Sequence, residues 1–350
     1  MKALVTGATG FIGSRVARAL LKAGHSVRAL HRPTSSLRML DGLPVELVVG
    51  DLTNPASLDA AAAGMDVVFH TAAMLSGSRG DLKRMTAVTV AGTRAVLMAA
   101  RQAGVKRVVH TSTVSALGIP DALEASGLMD ENHTWNYKPE RWVYGYTKYL
   151  AELEVQRAVA AGLDVVIVNP SLVFGPGDVY RMTASLVVQV ANGRLPVCTA
   201  GGLNVVHIDD VVAGHLAAME RGKTGERYIL GGQNVSLPWL VKQIAAIAGT
   251  PAPLPLPAGL VRALAGAAQV AQPFVPLSLD ILYLAGYYFY YDVGKAQREL
   301  RLPAPRPALD AIQDAYDWFC EMGAITRRKC DDAPEDKGEK KDRRPPGEGD

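Results

Sequence analysis

The chain has 350 residues, 49% of them hydrophobic and 20% charged, and a formal net charge of +3. That composition is globular and long enough for one large domain or two sharing an interface, which excludes a fibrous or wholly disordered protein. So small a charge excess implies no nucleic acid or other polyanion as partner. Cys198, Cys320 and Cys330 have neither the even count nor the spacing of a disulfide framework and include no CxxC pair, so a reducing compartment and no metal are expected. The apolar run after Lys2 meets Gly7 too early for a signal-peptide core, which makes the expected location cytoplasmic. Residues 258–291 are unusually apolar, but Arg262, Pro273, Pro276 and Asp280 interrupt every window long enough to span a bilayer. Packed helices lining a pocket are the expected reading.

In chain order, short β-branched runs predict strands at 2–6, 27–31, 45–49, 67–70, 107–111 and 165–169. Between them, apolar residues recurring at three- and four-residue intervals predict helices at 11–23, 57–63, 82–103 and 143–161. This alternation is the pattern of an α/β, Rossmann-type doubly wound parallel sheet, whose ligand crevice lies at the C-terminal strand ends. After Pro170 the pattern breaks into Pro- and Gly-rich turns, a helix starting near Asp209 or Asp210, and a short strand at Tyr228 to Leu230. The expected division is a nucleotide-binding core at 1–169, a smaller substrate-binding region at 170–326 partly interleaved with it, and a charged disordered tail at 327–350.

The strongest local signal is TGATGFIG, from Thr6 to Gly13, between the first strand and the first helix. Gly7, Gly10 and Gly13 permit a tight turn and close backbone approach to a pyrophosphate, which the helix N-terminus then binds. Asp51 and Leu52 end the third strand and would border the adenine; Thr71, Ala72 and Ala73 after the fourth leave room for the ribose and nicotinamide. Tyr144 and Lys148 form a YxxxK pair on one face of the helix between the fifth and sixth strands, with Thr111, Ser112 and Thr113 at the preceding strand end. Tyr291 and Lys295 repeat the spacing where the sheet pattern has ended, so packing is expected there, as it is for the run Tyr287 to Tyr291. His70 and His110 are expected as packed polar residues, and His207 as the residue fixing a turn, with Asp209 or Asp210 capping the helix that follows. The second strand ends in His31 and Arg32, with Arg38 nearby. A guanidinium there grips a 2′-phosphate where a carboxylate would bind the 2′-hydroxyl, so NADP is expected over NAD.

The motifs TGATGFIG, GDL, HTAA, HTSTVSALG, YGYTK, NPSLVFGPGD and HIDD together resemble the extended short-chain dehydrogenase/reductase family, over about residues 1 to 320. The chain looks most similar to its dihydroflavonol 4-reductase-like and hopanoid-associated sugar epimerase branches. The resemblance implies an NAD(P)-dependent enzyme in which Tyr144, Lys148 and Thr113 are catalytic, with Ser112 as the alternative hydroxyl. It extends the cofactor-binding set from the glycines to Phe11, Ile12, Pro170 and Val173, and makes Tyr144 and Lys148 part of it. Thr89 stands where the family usually has asparagine, and Leu203 where nucleotide-sugar enzymes commonly place a phosphate-binding arginine; Arg181 and Arg194 are other cations in that half. The family often pairs through the helices 82–103 and 143–161, so a homodimer is an open possibility.

The expected chemistry is reduction of a small-molecule aldehyde or ketone by hydride transfer. The Lys148 ammonium would lower the Tyr144 pKa from its ordinary value of about 10 so that the tyrosine can move the proton. A nucleotide-sugar epimerase or dehydratase using the same site is the rival activity, and a non-catalytic NAD(P)-binding sensor is a third reading.

Overall fold

The computed structural model describes residues 1–74, 82–122, 127–180, 185–257, 259–261 and 283–325. The tail, Arg181 and most of the apolar stretch 258–291 lie outside the described residues. Six strands occur within a residue of their expected bounds: β1 (Lys2–Thr6), β2 (Ser26–His31), β3 (Glu46–Val49), β4 (Val67–His70), β5 (Arg107–Thr111) and β6 (Val165–Pro170). Three short strands follow, β7 (Leu172–Phe174), β8 (Val197–Thr199) and β9 (Gly202–His207). The next strand, β10 (Arg227–Leu230), comes from the later half of the chain, pairs in parallel with β6 and becomes the seventh strand of the central sheet. The sheet order is β3-β2-β1-β4-β5-β6-β10, with every neighbouring pair parallel.

The two faces of this sheet are read directly from alternate residues. Ala3, Val5, Phe69, Val109 and Val166 pack against α1 (Phe11–Lys22) and, from the second half of the chain, the later helix Ile208–Arg221. Leu4, Val68, Val108 and Ile167 pack on the other side against α2 (Pro55–Ala62), α4 (Gly92–Gln102) and α5 (Val143–Ala160). The expected helix 82–103 is not uniform. It opens as α3 (Leu82–Met85), passes through a π turn at Thr86–Ala91 and continues as α4. The Thr93 hydroxyl bonds back to the Thr89 carbonyl at 2.6 Å, taking up an oxygen in the widened turn.

A second cluster joins α6 (Ser185–Ala191), α8 (Leu237–Ala248) and α10 (Ala308–Glu321) to the small sheet of β7, β9 and β11 (Gln233–Ser236). Between them run α7 (Ile208–Arg221) and the short α9 (Gly294–Glu299). The cap of α7 differs from expectation. His207, not either aspartate, is the N-cap, its Nδ1 accepting the Asp209 N–H at 3.0 Å, while Asp209 pairs with Arg15 at 2.9 Å and Arg306 at 3.0 Å. The run Tyr287 to Tyr291 makes single bridges, Gly202 to Tyr288 and Met129 to Tyr291, instead of a strand, and buries Phe289 and Tyr291. Cys198 is a buried free thiol, and Cys320 is disulfide-bonded.

Four histidines are buried among the described residues, and for three of them, His70, His110 and His215, desolvation disfavours the imidazolium. His70 takes a defined tautomer: Thr93 spends its proton on the Thr89 carbonyl, so His70 Nε2 donates to Thr93 at 3.0 Å and Nδ1 accepts from Thr6 at 2.8 Å. His215 bonds the Val211 carbonyl at 2.7 Å and the Thr111 hydroxyl at 2.9 Å. Burial first, then Lys148, lowers His70 to about 3; burial lowers His215 to about 4. Both are neutral when folded, whereas unfolded they take up a proton near 6.5. Stability therefore falls as pH drops below 6.5, each group withdrawing up to about 1.4 kcal/mol per pH unit until its folded form protonates. His215→Gln is expected to flatten that acid slope above about pH 4, measured as the urea midpoint across pH.

Candidate active site

The carboxyl ends of β1, β4, β5 and β6 meet the start of α1 and the buried face of α5. At the β1–α1 turn the three glycines have different jobs. Gly7 has φ +70°, and a Cβ there would stand 2.8 Å from Ala72; a Cβ on Gly13 would collide with the Gly7 carbonyl and stand 2.6 Å from Thr71 Oγ1. Both let the turn press against the end of β4, where Thr71 Oγ1 donates to the Thr6 carbonyl at 2.6 Å. Gly10 is the least crowded of the three: a Cβ there would stand 3.1 Å from the Gly7 carbonyl and 3.9 Å from the Tyr180 ring. No side chain caps α1 at Gly10, and its first turn contains no acidic residue. The N–H groups of Phe11 and Ile12 open an uncapped helix end that could receive an anion, and the pyrophosphate of a nicotinamide dinucleotide would fit this cradle.

Around it, Asp51 bends its carboxylate onto Thr53, accepting N–H at 2.8 Å and hydroxyl at 2.6 Å, bonds that lower its pKa. Leu52 is buried against Gly92. Ala73 is half-buried after β4, and Met74 donates to Thr89 Oγ1 at 3.3 Å, so the threonine at the asparagine position pins this loop. Pro170 and Val173 are buried at the ends of β6 and in β7. Arg32 and Arg38 are exposed beyond β2. Arg194 is exposed.

The hydroxyls at the end of β5 are not equivalent. Ser112 is buried and donates to Glu152 of α5, while Thr113 is half-buried, accepts the Ser115 N–H at 3.2 Å, donates to Ser115 Oγ at 3.4 Å, and pulls the Tyr144 pKa down. Desolvation nevertheless dominates, raising Tyr144 to about 12. This corrects the expectation of a tyrosine lowered by its lysine. Lys148, 2% exposed, gives its ammonium to the Thr111 carbonyl at 2.8 Å, and burial lowers it to about 8 against the upward pull of Glu152. Tyr144 packs in an apolar cluster with Val114, Trp142, Phe289, Leu203 and Tyr287. The second YxxxK pair is split: Tyr291 is buried, and Lys295 pairs with Glu226 at 2.6 Å.

Sequence reading missed Glu152, Asn169 and Arg227. The available signal for Glu152 was its i+8 position from Tyr144 on the same helix face. No local pattern announces that Asn169 Nδ2 reaches both Glu152 (2.7 Å) and the Thr113 carbonyl (3.0 Å).

A profile of the NAD dependent epimerase/dehydratase family matches residues 3–231, well over half of the chain. The chain belongs to the NAD dependent epimerase/dehydratase family. It is similar to sterol demethylase protein B of Methylococcus capsulatus, 36% identical over 337 residues, which are 93% of this chain and 100% of that protein. It is also similar to dihydroflavonol 4-reductase of Hordeum vulgare, 30% identical over 259 residues, 69% of this chain and 73% of that protein. A nucleoside-diphosphate-sugar epimerase from Pseudomonas aeruginosa has a solved structure of the same fold, with a TM-score of 0.79 and 29% identity, covering 93% of this chain and 99% of that one. As a family member, the chain is an NAD(P)-dependent enzyme of the extended short-chain dehydrogenase/reductase type. Among the described residues no helix is long and apolar enough to cross a membrane.

Substituting the glycines separates packing from cofactor contact. Gly13→Ala should cost about 1–3 kcal/mol by overpacking, seen in the denaturation midpoint. Gly10→Ala should lower that midpoint less than Gly13→Ala does and weaken NAD(P) binding in a fluorescence titration.

Proposed function

We propose that this enzyme reduces an uncharged aldehyde or ketone with NADPH. The observation that carries the reading is the apolar cluster against which Tyr144 packs, with Trp142 and Phe289 buried in it and Tyr287 and Leu203, like Tyr144, partly exposed on it. An apolar carbonyl compound gains by burial against such a surface, whereas a nucleotide-sugar diphosphate needs cations. Among the described residues, two guanidiniums near this cluster are otherwise engaged: Arg141 lies over the Tyr283 ring at 5.0 Å, and Arg227 is paired with Glu152 at 2.7 Å. A nicotinamide held in the glycine cradle would supply the hydride. Tyr144, protonated at neutral pH, is in the form that a reduction consumes, and gives its proton to the carbonyl oxygen. Thr113 holds that oxygen through its side chain, and the Lys148 ammonium stabilises the phenolate left behind. Ser112, committed to Glu152, takes no part.

The epimerase reading keeps one observation in its favour, the likeness to the Pseudomonas aeruginosa nucleoside-diphosphate-sugar epimerase. Calorimetric titration of the cofactor-loaded enzyme with UDP, UDP-sugars and dTDP-sugars separates the two; micromolar binding of any of them would reverse the assignment. A screen of aldehydes, ketones and 4-keto sugars by NADPH oxidation identifies the substrate.

With a substrate in hand, Tyr144→Phe should lower kcat by about a hundredfold or more while NADPH affinity holds. Tyr291→Phe, the buried control, should leave kcat intact. Retained activity in Tyr144→Phe removes the proton-donor role. The NADPH preference rests on Arg32, exposed just after β2, whose last residue is His31 and not a carboxylate. Arg32→Ala should weaken NADPH and leave NADH binding unchanged; NADH binding as tightly as NADPH in the unaltered enzyme would overturn that preference.

A further inference from the structure

On the face of α5 that carries Tyr144 and Lys148, the next turn brings Glu152, with 0% of its surface exposed. A carboxylate so completely removed from water must be compensated by charge and hydrogen bonds. Its Oε1 accepts from the Ser112 hydroxyl and, at 2.7 Å, from Asn169 Nδ2. Its Oε2 lies 2.7 Å from Arg227 Nε, but off the line of a hydrogen bond. Arg227 also reaches the carbonyls of Glu131 at 3.4 Å and His133 at 3.2 Å.

The consequence for β5 is that three successive residues at its end are tied down. Lys148 holds the Thr111 carbonyl, Glu152 the Ser112 hydroxyl, and Asn169 the Thr113 carbonyl, with Asn169 itself anchored on Glu152. The surrounding charges are few. Lys148 and the neutral Tyr144 face the cluster from α5, His70 and His110 from β4 and β5 are neutral, and His215 of α7 is neutral and bonded to Thr111. From β10 comes Arg227, and Glu131, which accepts the Ile229 N–H at 2.9 Å, has a pKa raised by burial. Glu152 is thus the carboxylate on the same helix face as Lys148.

We propose that Glu152 is a positioning residue for the Tyr144, Lys148 and Thr113 site: a fixed buried anion that holds Lys148 as an ammonium and clamps the end of β5 so that Thr113 faces Tyr144. This rests on the catalytic reading above. The direction of the electrostatics agrees, since burial lowers Lys148 to about 8 even with the Glu152 carboxylate opposing it. Without that carboxylate, a neutral amine would stabilise a phenolate poorly.

Glu152→Gln keeps an amide oxygen for Ser112 and Asn169 and removes the charge. The readout is the pH titration of the Lys148 resonance in cofactor-saturated protein labelled with 13C at lysine Cε, assigned by its loss in Lys148→Arg. The Lys148 midpoint should fall by roughly one unit or more in Glu152→Gln, with kcat lowered more than KM is raised. Arg227→Gln, which removes the opposing cation and keeps the anion, should leave that midpoint unchanged or raise it. An unmoved midpoint in Glu152→Gln, or a fall of equal size in both variants, overturns the proposal and reduces the cluster to a fold element. Should Glu152→Gln not fold, the double variant Glu152→Gln/Arg227→Gln, which buries no unpaired charge, is compared with Arg227→Gln alone, and the same fall is required. Retained activity in Tyr144→Phe would instead sink the catalytic reading, a result the lysine titration neither produces nor masks.

Discussion

Two-sided burial of the parallel sheet is the constraint from which the other features follow. A parallel strand cannot return to its neighbour by a tight turn, so each pair needs a crossover, and helices must cover both faces. In β4 and β6 every residue is buried, and the alternate side chains of β1, β4, β5 and β6 divide into two separate cores. The strand ends are then the only part of the sheet where backbone and polar side chains meet a crevice. The residues of the proposed site, Thr113, Tyr144 and Lys148, gather at those ends.

That placement has an electrostatic cost, visible in the polar groups beneath the crevice. His70, His110 and His215 are held neutral by burial, and Glu152 is held among Ser112, Asn169 and Arg227. The hydrogen-bond chain from Ala72 through Thr6, His70 and Thr93 to Thr89 links the loop after β4 to the π turn before α4. A rigid polar floor of this kind keeps the site's hydroxyls from repacking, because each buried donor or acceptor that lost its partner would cost about 1–3 kcal/mol.

The pKa pattern assigns the burden of the chemistry. Tyr144 is raised and Lys148 lowered, both chiefly by desolvation, so neither is set by the other in this structure. Thr113 and Glu152 supply the opposing pulls. A proton donor at neutral pH suits reduction, and the aromatic and aliphatic surroundings of Tyr144 suit an apolar substrate.

Local pattern was enough for the first half of the fold. Period-2 and period-3.6 repeats placed six strands and the flanking helices within a few residues, because each element's buried face is written in its own residues. The glycine turn, the YxxxK pair and the hydroxyl run were legible for the same reason. What tertiary structure alone decided involves partners far apart in sequence. Arg227–Leu230 reads as a short apolar strand anywhere, and only pairing with β6 makes it the seventh strand of the core. Ser112 and Thr113 are neighbours of like chemistry, and it is Glu152, 40 residues on, that takes one hydroxyl out of the crevice. His207 displaces the aspartates as cap because Arg15 and Arg306 claim Asp209, and Arg306 claims Asp210. Burial sets the sign of the Tyr144 shift, and burial is a sum over the whole packed chain, which no spacing of residues encodes.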